Sequence, residues 1–380
     1  MDITTFKICR RIVNGCGSFY GNIAEEAASL NGHRIFLVCD PILAKLGLTE
    51  KTAALLREKG FEVAIHADVE PEPRVESVLA AAEQARAFGA DCVIGIGGGS
   101  SLDTAKTCSV LLGNQQDIRE LYGIEKVSKP GAPLILVPTS AGTGSEVTDI
   151  AILSDEAAQL KMGIVSRHML PASVILDPEL TLSLPKGPTA ASGMDALIHA
   201  MEAYTSIHAT PLTDMWAEHA IALIAPNLRK AWARGEDIQA RQAMLTGSFY
   251  AGVAFCNAGV TAVHAFAYPI GARYHIPHGL ANTLMLLPVF RFNMVGNMER
   301  FARLAAMLGE NTTGLAGRCL DALESLARDL QVPRHLADYG VTPDDVPVLA
   351  ESVLQVTRLL GNNPRSVSLQ DAINIYREAL

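Results

Sequence analysis

The stretch VIGIGGGSSLDTAK, residues 93–106, runs from an apolar segment through three glycines into a helical pattern. The glycines at 97–99 allow the backbone to approach a ligand closely and to adopt positive φ angles. Ser100 and Ser101 follow where the helix begins, and amides at a helix N-terminus favour an anion such as a pyrophosphate. The loop is neither a P-loop nor the common GxGxxG fingerprint. It therefore predicts either an anion-binding turn or only a tight strand-to-helix connection.

Strands and helices alternate around this loop in the first half of the chain. Nearly continuous apolar runs such as PLILVPT predict strands buried on both faces of a parallel sheet. Alternation of such strands with amphipathic helices indicates an open α/β domain. The predicted strands are 34–39, 61–67, 91–97, 133–139, 147–153, 161–166 and 173–177, and the predicted helices are 49–60 and 72–90.

The pattern changes after the proline-containing passage 178–188. Helical periodicity dominates from there on, and no β-rich run of comparable quality appears. We therefore expect an α/β domain over residues 1–185 and an all-helical domain over residues 186–380. The predicted helices of the second half are 188–206, 210–233, 237–255, 258–273, 280–291, 297–309, 312–330 and 365–379.

The composition excludes several classes of protein. The 380 residues carry a formal net charge of −9 and no basic patch, which argues against nucleic acid as a ligand. The N-terminal residues lack the apolar core of a secretory signal, and no apolar run is long enough for a membrane span. The seven cysteines are odd in number and show no CxxC spacing, a pattern typical of reduced thiols. We expect a cytoplasmic protein.

Polar residues follow two of the predicted strands at their carboxyl ends. Asp40 follows strand 34–39, where an acid either accepts hydrogen bonds from a ribose diol or is a solvated turn residue. It precedes the glycine loop instead of following it, so a dinucleotide site would need an unusual connectivity. A second loop, 137–148, offers hydroxyl groups at the end of strand 133–139, and two such loops favour a nucleotide ligand. Its candidate residues are Thr139, Ser140, Thr143 and Ser145.

The helical half contains a carboxylate and three imidazoles that could form a metal site. Asp195 and His199 stand at i and i+4 of a predicted helix and share one face. His264 lies on a second predicted helix, and His278 lies in a turn that follows it. Three nitrogens and one oxygen suit Fe(II) or Zn(II). For each histidine alone, a hydrogen-bonded core position is the alternative, and Asp195 with His199 could be an ordinary helix pair.

Four motifs together resemble the iron-containing (group III) alcohol dehydrogenase family, in order and spacing and over essentially the whole chain. The resemblance implies an N-terminal α/β domain that binds NAD(P), an all-α C-terminal domain that binds one divalent metal, and an active site between them. It also implies the two-domain architecture shared with dehydroquinate synthase. The motifs are GGGSSLDTAK (97–106), PTSAGTGSEVT (138–148), GMDALIHAMEAY (193–204) and VHAFAYPIGARYHIPHG (263–279).

The resemblance assigns roles to individual residues. It implies that an acid at Asp40 favours NAD over NADP, that Lys161 approaches a ribose, and that iron is the first choice of metal with zinc second. Glu72 stands where asparagine is common in the family, so that cofactor contact is not carried over. The implied metal ligands are Asp195, His199, His264 and His278. The implied cofactor residues are Asp40, Gly98, Gly99, Ser100, Ser101, Asp103, Thr139, Ser140, Thr143, Ser145 and Lys161.

Tyr268 departs from the family pattern, in which many members carry a histidine at this position. Its hydroxyl could relay the proton of the alcohol, with His278 beside it as ligand and catalytic residue. Alternatively, the proton leaves through a metal-bound water. His275 is either a neighbour of the ligands or a structural residue.

The resemblance implies hydride transfer between NAD(H) and a small primary alcohol, diol or aldehyde, by a homodimer or higher homo-oligomer. A second possibility is a reductase of an anionic aldehyde or keto acid, including a hydroxyacid–oxoacid transhydrogenase. Arg273 would then pair with the substrate instead of a surface carboxylate. A third is a dehydroquinate synthase-like lyase, and a fourth is a non-catalytic nucleotide- or metal-binding regulator. The apolar segment AFAYPIG disfavours the lyase, and the lack of a separate effector segment disfavours the regulator.

Overall fold

The computed structural model describes residues 5–157, 160–309 and 316–380, and the chain divides into two compact units. The α/β unit comprises Phe6–Ser140 and Gly144–Thr181. The helical unit comprises Leu182–Leu380 together with Thr5 and Ala141–Thr143. The sequence predicted a boundary after residue 185. Residues 1–4, part of the segment in which no secretory signal was expected, lie outside the described residues.

Among its described residues, the α/β unit contains nine strands in two sheets. In chain order the strands are β1 (Arg11–Asn14), β2 (Arg34–Val38), β3 (Glu62–His66), β4 (Cys92–Gly97), β5 (Gly123–Ile124), β6 (Leu134–Pro138), β7 (Ile150–Asp155), β8 (Leu160–Val165) and β9 (Ser173–Leu176). Helices between them are α1 (Ser18–Ser29), α2 (Pro41–Lys45), α3 (Leu48–Glu58), α4 (Val75–Phe88) and α5 (Gly99–Gly113).

The larger sheet has six strands in the order β1-β9-β6-β4-β2-β3, and all its pairings are parallel. The glycine-bearing strand β4 is central, with β6 on one side and β2 on the other. The loops that follow these three strands therefore leave the sheet at one edge. This strand order places Asp40, which follows β2, at the same edge as the glycines that follow β4. It explains how an acid that precedes the glycines in the chain can lie near them in the fold.

The predicted strands 147–153 and 161–166 belong to a separate sheet of order β5-β8-β7. Strands β7 and β8 pair antiparallel, with Ile150 opposite Val165. Only a few residues connect them, which is too short for the crossover that a parallel pair needs. The sequence predicted these strands but not their place in a second sheet.

Close packing of α5 on β4 explains one glycine of the opening motif. A methyl group at Gly95 would lie 2.6 Å from Cβ of Ala105 and 2.8 Å from a methyl of Leu136. Both neighbours are fully buried, so neither can move aside. Gly95 therefore allows the helix to approach the sheet and brings its N-terminus to the carboxyl edge.

The helical unit contains ten helices among its described residues. They are α6 (Lys186–Thr205), α7 (Pro211–Ala233), α8 (Ile238–Ala258), α9 (Ala262–Tyr274), α10 (His278–Met294), α11 (Met298–Met307), α12 (Arg318–Asp329), α13 (Val346–Val353), α14 (Thr357–Leu360) and α15 (Leu369–Ala379). Residues 312–315, the start of the predicted helix 312–330, lie outside the described residues. Helices α13 and α14 were not predicted.

Two helix boundaries near the histidines differ from the prediction. Helix α8 continues to Ala258 and α9 begins only at Ala262, because Gly259 adopts a φ of 78° and interrupts the helix. His278 is the first residue of α10 and does not lie in a turn. The preceding break comes from His275, at a φ of 53°, and from Pro277, which takes the N-cap position.

Among the residues that the structure describes, no single helix is long and apolar enough to cross a membrane. One pair of helices bent by 103°, α8 with α9, meets the length and composition requirement only when both are counted together.

Candidate active site

The N-terminus of α5 lies open at the carboxyl edge of the parallel sheet. Gly98 occupies the N-cap position and supplies no side chain to cap the first amides of this helix. Gly97 has a φ of 148°, and a methyl group there would lie 2.5 Å from Oγ of Ser101. Only glycine fits at this position. The arrangement leaves amide donors at a helix N-terminus, which is a favourable place for a phosphate group.

Polar groups from the neighbouring strands converge on the glycines. A methyl group at Gly97 would lie 3.3 Å from Oδ2 of Asp40, and one at Gly98 would lie 3.5 Å from Oγ of Ser140. The Thr139 amide donates to the Gly97 carbonyl oxygen over 3.0 Å. The ends of β2, β4 and β6 thus bring together four of the predicted cofactor residues.

Asp40 has a structural role as well as a place at this edge. Its Oδ1 accepts hydrogen bonds from the amides of Ile42 and Leu43, at 2.9 and 3.0 Å, and so caps α2. Its Oδ2 is the oxygen that lies towards Gly97. The two interpretations of Asp40, turn residue and cofactor residue, are therefore compatible, since they use different oxygens.

Asp103 is held by hydrogen bonds to two neighbouring residues. Its Oδ1 accepts from the Ser145 hydroxyl at 2.5 Å and its Oδ2 accepts from the Ile152 amide at 2.9 Å. Burial raises the pKa of this carboxyl, although Lys106, at 3.7 Å, opposes the rise. Asp103 and Ser145 thus form a hydrogen-bonded pair that joins the second loop to α5.

Lys161 and Ser100 both contact Glu72. The Lys161 ammonium group donates to a Glu72 carboxylate oxygen at 2.6 Å, and the Glu72 amide donates to the Ser100 hydroxyl at 3.2 Å. Glu72, which the sequence left without a role, is therefore the residue that links two predicted cofactor residues.

Thr143, another predicted cofactor residue, belongs to the helical unit.

In the helical unit, the four predicted metal ligands come together. Asp195 and His199 lie on α6, His264 on α9 and His278 on α10. One potential ligand atom from each lies within 4.8 Å of those of the other three. Nε2 of His264 and Nε2 of His278 lie 3.7 and 3.9 Å from the same oxygen of Asp195. We refer to these four residues as the Asp/His cluster.

Glu202 is a part of this site that the sequence did not predict. It is fully buried, and its Oε2 accepts a short hydrogen bond from Nδ1 of His264. Its Oε1 accepts from the Thr261 and Val263 amides, at 3.0 and 2.8 Å, and so holds the start of α9. In the neutral form of His264, Nδ1 donates to Glu202 and Nε2 therefore presents its lone pair to the cluster. Glu202 follows Asp195 by seven residues on α6, a helical spacing that could have indicated it.

His199 is oriented by a backbone group and an aromatic ring. Its Nδ1 lies 3.2 Å from the Gly142 carbonyl oxygen, which can only accept, so Nδ1 carries the proton. Its ring stacks on Phe255 with centroids 4.3 Å apart. Burial lowers the pKa of His199 to about 4, despite the Asp195 carboxylate nearby. The neutral imidazole is the form that binds a metal.

The protonation state of Asp195 also suits a cation. Burial opposes its ionisation, but the imidazoles of His199, His278 and His264 outweigh burial and lower its pKa. An ionised carboxylate with three imidazoles, two of them with their tautomers fixed by outer partners, is a donor set that fits Fe(II) or Zn(II). The residues present therefore fit a divalent metal.

The more exposed side of the cluster carries His278 and Tyr268. The side chain of His278 is 36% exposed, whereas the other three are nearly enclosed. The rings of Tyr268 and His278 lie 6.1 Å apart between centroids. Arg273 donates to a carboxylate oxygen of Asp345 at 3.1 Å, so this arginine pairs with a surface carboxylate. His275 is exposed and ends α9 in the left-handed conformation.

Comparison with known proteins identifies the family. The family described as "Iron-containing alcohol dehydrogenase" matches residues 9–178, and "Fe-containing alcohol dehydrogenase family, C-terminal" matches residues 189–380. The chain belongs to the iron-containing alcohol dehydrogenase family. The expected fold class, the enzyme class and the use of NAD with a divalent metal are thereby confirmed, and a non-catalytic regulator is excluded.

Relatives of this alcohol dehydrogenase cover nearly its whole length. The sulfoacetaldehyde reductase of Bilophila wadsworthia is 40% identical over 377 residues, which cover 97% of each chain. The NAD-dependent methanol dehydrogenase of Bacillus methanolicus is 37% identical and covers 100% of each chain. A crystal structure of a 1,3-propanediol oxidoreductase is 39% identical with a TM-score of 0.97, and covers 100% of each chain.

Proposed function

We propose that Asp195, His199, His264 and His278 hold one divalent metal, Fe(II) first and Zn(II) second. We further propose that the enzyme transfers hydride between NAD(H) and a small primary alcohol, diol or aldehyde. The observation that carries the metal assignment is the geometry of the Asp/His cluster. Its four donors lie within 4.8 Å of one another, while Nδ1 of His264 and Nδ1 of His199 are hydrogen-bonded to a carboxylate and to a carbonyl.

When bound, the divalent cation supplies Lewis acidity at the alcohol oxygen and the nicotinamide supplies the hydride acceptor. The chain's own contribution is orientation. Glu202 and Gly142 fix the imidazoles of His264 and His199, and Phe255 covers the face of His199 and excludes water from it.

For the cofactor, we propose that the α/β unit binds NAD at the carboxyl edge of the parallel sheet. The pyrophosphate would accept from amides and hydroxyls of Gly98, Gly99, Ser100 and Ser101, with Asp40 on the adenosine ribose. Thr139, Ser140, Thr143 and Lys161 remain predicted contacts. Because its oxygens already accept from Ser145 and Ile152, Asp103 serves this site by holding Ser145 in place.

The proton route is proposed to pass through Tyr268. Its position one turn after His264 and its approach to the His278 ring support this role. The Tyr268→Phe substitution should lower kcat roughly 10²-fold, the usual loss for a general acid or base, without changing metal content. Kinetics across the pH range provide the check. A fully active Phe variant would show that the hydroxyl is not needed and would favour a metal-bound water as the proton route.

A small uncharged substrate is the first candidate. Arg273, the cation that would have paired with an acidic substrate, is hydrogen-bonded to Asp345 instead. An anionic aldehyde is the second candidate, because a sulfoacetaldehyde reductase is among the relatives at 40% identity. A homo-oligomeric state and a cytoplasmic location stay predictions.

The test is a substrate panel with a metal assay. Metal-free protein is reloaded with Fe(II) or Zn(II) and assayed with NADH or NADPH against propanal, 3-hydroxypropanal and sulfoacetaldehyde. We expect turnover only after loading, a preference for NADH, and higher kcat/KM for the uncharged aldehydes. Undiminished activity of the metal-free protein would refute the metal assignment. A preference for sulfoacetaldehyde would select the second candidate.

A further inference from the structure

Asn282 occupies a central position in the Asp/His cluster. It lies on α10 one turn after His278, and it is fully buried. Its side-chain nitrogen Nδ2 lies 2.7 Å from Oδ1 of Asp195, 3.0 Å from Nε2 of His264 and 3.3 Å from Nε2 of His278. One amide group thus contacts a donor atom of three of the four proposed ligands.

The hydrogen-bonding partners determine which end of the Asn282 amide faces the cluster. When His264 is neutral, its Nε2 carries the lone pair because Nδ1 donates to Glu202, and Asp195 presents a carboxylate oxygen. The amide oxygen would meet only lone pairs there, so the NH2 group must face them. In consequence, Oδ1 of Asn282 is buried and makes no hydrogen bond in the described part of the chain.

An imidazole nitrogen has a single lone pair, which can accept a hydrogen bond or bind a cation but cannot do both. We propose that Asn282 is an internal substitute for the metal ion. In the metal-free enzyme its two N–H hydrogens serve the two nearest acceptors, Asp195 and His264, with His278 also in contact, and the NH2 group gives up its imidazole contacts when the cation binds. This proposal rests on the proposed metal site.

A contact that exists only in the metal-free state stabilises that state and lowers the apparent metal affinity. Asn282 would therefore keep the ligands arranged before loading while making loading reversible. A residue that merely supports the ligands behaves in the opposite way, because its loss weakens metal binding about 10–100-fold. The direction of the change in affinity distinguishes these two roles.

The variants Asn282→Leu, of similar branched shape but without polar atoms, and Asn282→Ala test the proposal. Zn(II) affinity is measured by chelator competition, and melting temperature is measured in both metal-free and loaded protein. We expect Zn(II) to bind about tenfold tighter, and the melting temperature to fall in the metal-free form more than in the loaded form. The matched control is Asn293→Leu, also fully buried on α10 but paired with Asn363. It should destabilise both forms equally and leave the affinity unchanged.

Weaker or unchanged Zn(II) binding in both Asn282 variants would overturn the proposal. A wrong assignment of the metal site itself would give a different result. Wild-type protein would then bind no stoichiometric Zn(II), or the His264→Ala variant would still bind Zn(II). The inference about Asn282 is tested only against wild-type protein that binds one Zn(II) at the Asp/His cluster.

Discussion

The glycine-loop edge of the α/β unit and the Asp/His cluster of the helical unit use their polar side chains in opposite ways. At the edge, carboxylates accept from the protein's own amides and hydroxyls, as Asp40 does at α2 and Asp103 does at Ser145. In the cluster, hydrogen bonds to other parts of the protein hold Nδ1 of His199 and Nδ1 of His264, while one donor atom from each of the four residues lies close to the others.

This difference shows how each region can recognise its ligand. The edge presents backbone amides that the fold holds in place, so a single side chain contributes little there. The cluster consists of side chains whose lone pairs converge. The loss of any one of them, or of a residue that orients it, should therefore weaken metal binding. We therefore expect substitutions in the cluster to cause larger losses than substitutions at the edge.

The largest effect is expected for His264→Ala, which removes one ligand. Bound metal should be lost and kcat/KM should fall by about 10³-fold or more, since a catalytic metal contributes several kcal/mol. NAD binding, measured by fluorescence titration, should be unchanged because it involves the other unit. The control is His219→Ala, an exposed histidine on α7. Unchanged metal content in the His264 variant would remove it from the ligand set.

The next largest effect is expected for Glu202→Gln. The amide NH2 would face Nδ1 of His264 and force the proton onto Nε2, where it blocks the metal. Metal affinity should fall about 10–100-fold, measured by chelator competition. The exposed Glu351→Gln serves as control and should bind metal like the wild type. Equal affinities in the two variants would show that Glu202 does not set the tautomer.

A smaller effect is expected at the edge, from Asp40→Asn. The amide can keep the cap on α2 through its oxygen, but it no longer repels the 2′-phosphate of NADP. The ratio of kcat/KM for NADP to that for NAD should rise by about tenfold without a change in melting temperature. Asp40→Gly should relax the preference in the same way. A constant ratio in both variants would place the adenosine ribose elsewhere.

The smallest effect on activity is expected for Glu146→Gln, which concerns stability alone. Burial raises the pKa of Glu146 to about 7 from 4.5, and its Oε1 has no hydrogen-bond partner in the described part of the chain. The folded state therefore holds a proton that the unfolded state releases, and stability falls as pH rises from 4.5 to 7. The stability of the Glu146→Gln variant should not fall in this way over the same pH range.

Measured by melting temperature, the Glu146→Gln variant and the wild type should be similar near pH 5. The variant should gain up to about 3 kcal/mol of stability by pH 8. Parallel stability curves for the two proteins across this range would mean that Glu146 is ionised in the folded state.

Local sequence patterns were sufficient for much of the fold. Buried runs such as CVIGIG at β4 predicted strands, and apolar periodicity predicted the long helices, because these signals depend on near neighbours alone. The second sheet was missed because β8 also pairs with β5, a distant and very short strand, and local patterns do not show which strands pair with one another. The start of α10 at His278 was missed because a helix N-cap supplied by proline gives little side-chain signal.

The sequence by itself determined the alternation of an α/β half with a helical half, the glycine loop, and the placement of Asp195 and His199 on one helix face. Tertiary structure decided what surrounds them. Glu202 reaches His264 across 62 residues, Gly142 reaches His199 across 57, and Asn282 reaches Asp195 across 87. Periodicity records which side chains share a face within one helix. Only tertiary packing brings distant donors and acceptors together, and that packing fixes which imidazole nitrogens remain available to a metal.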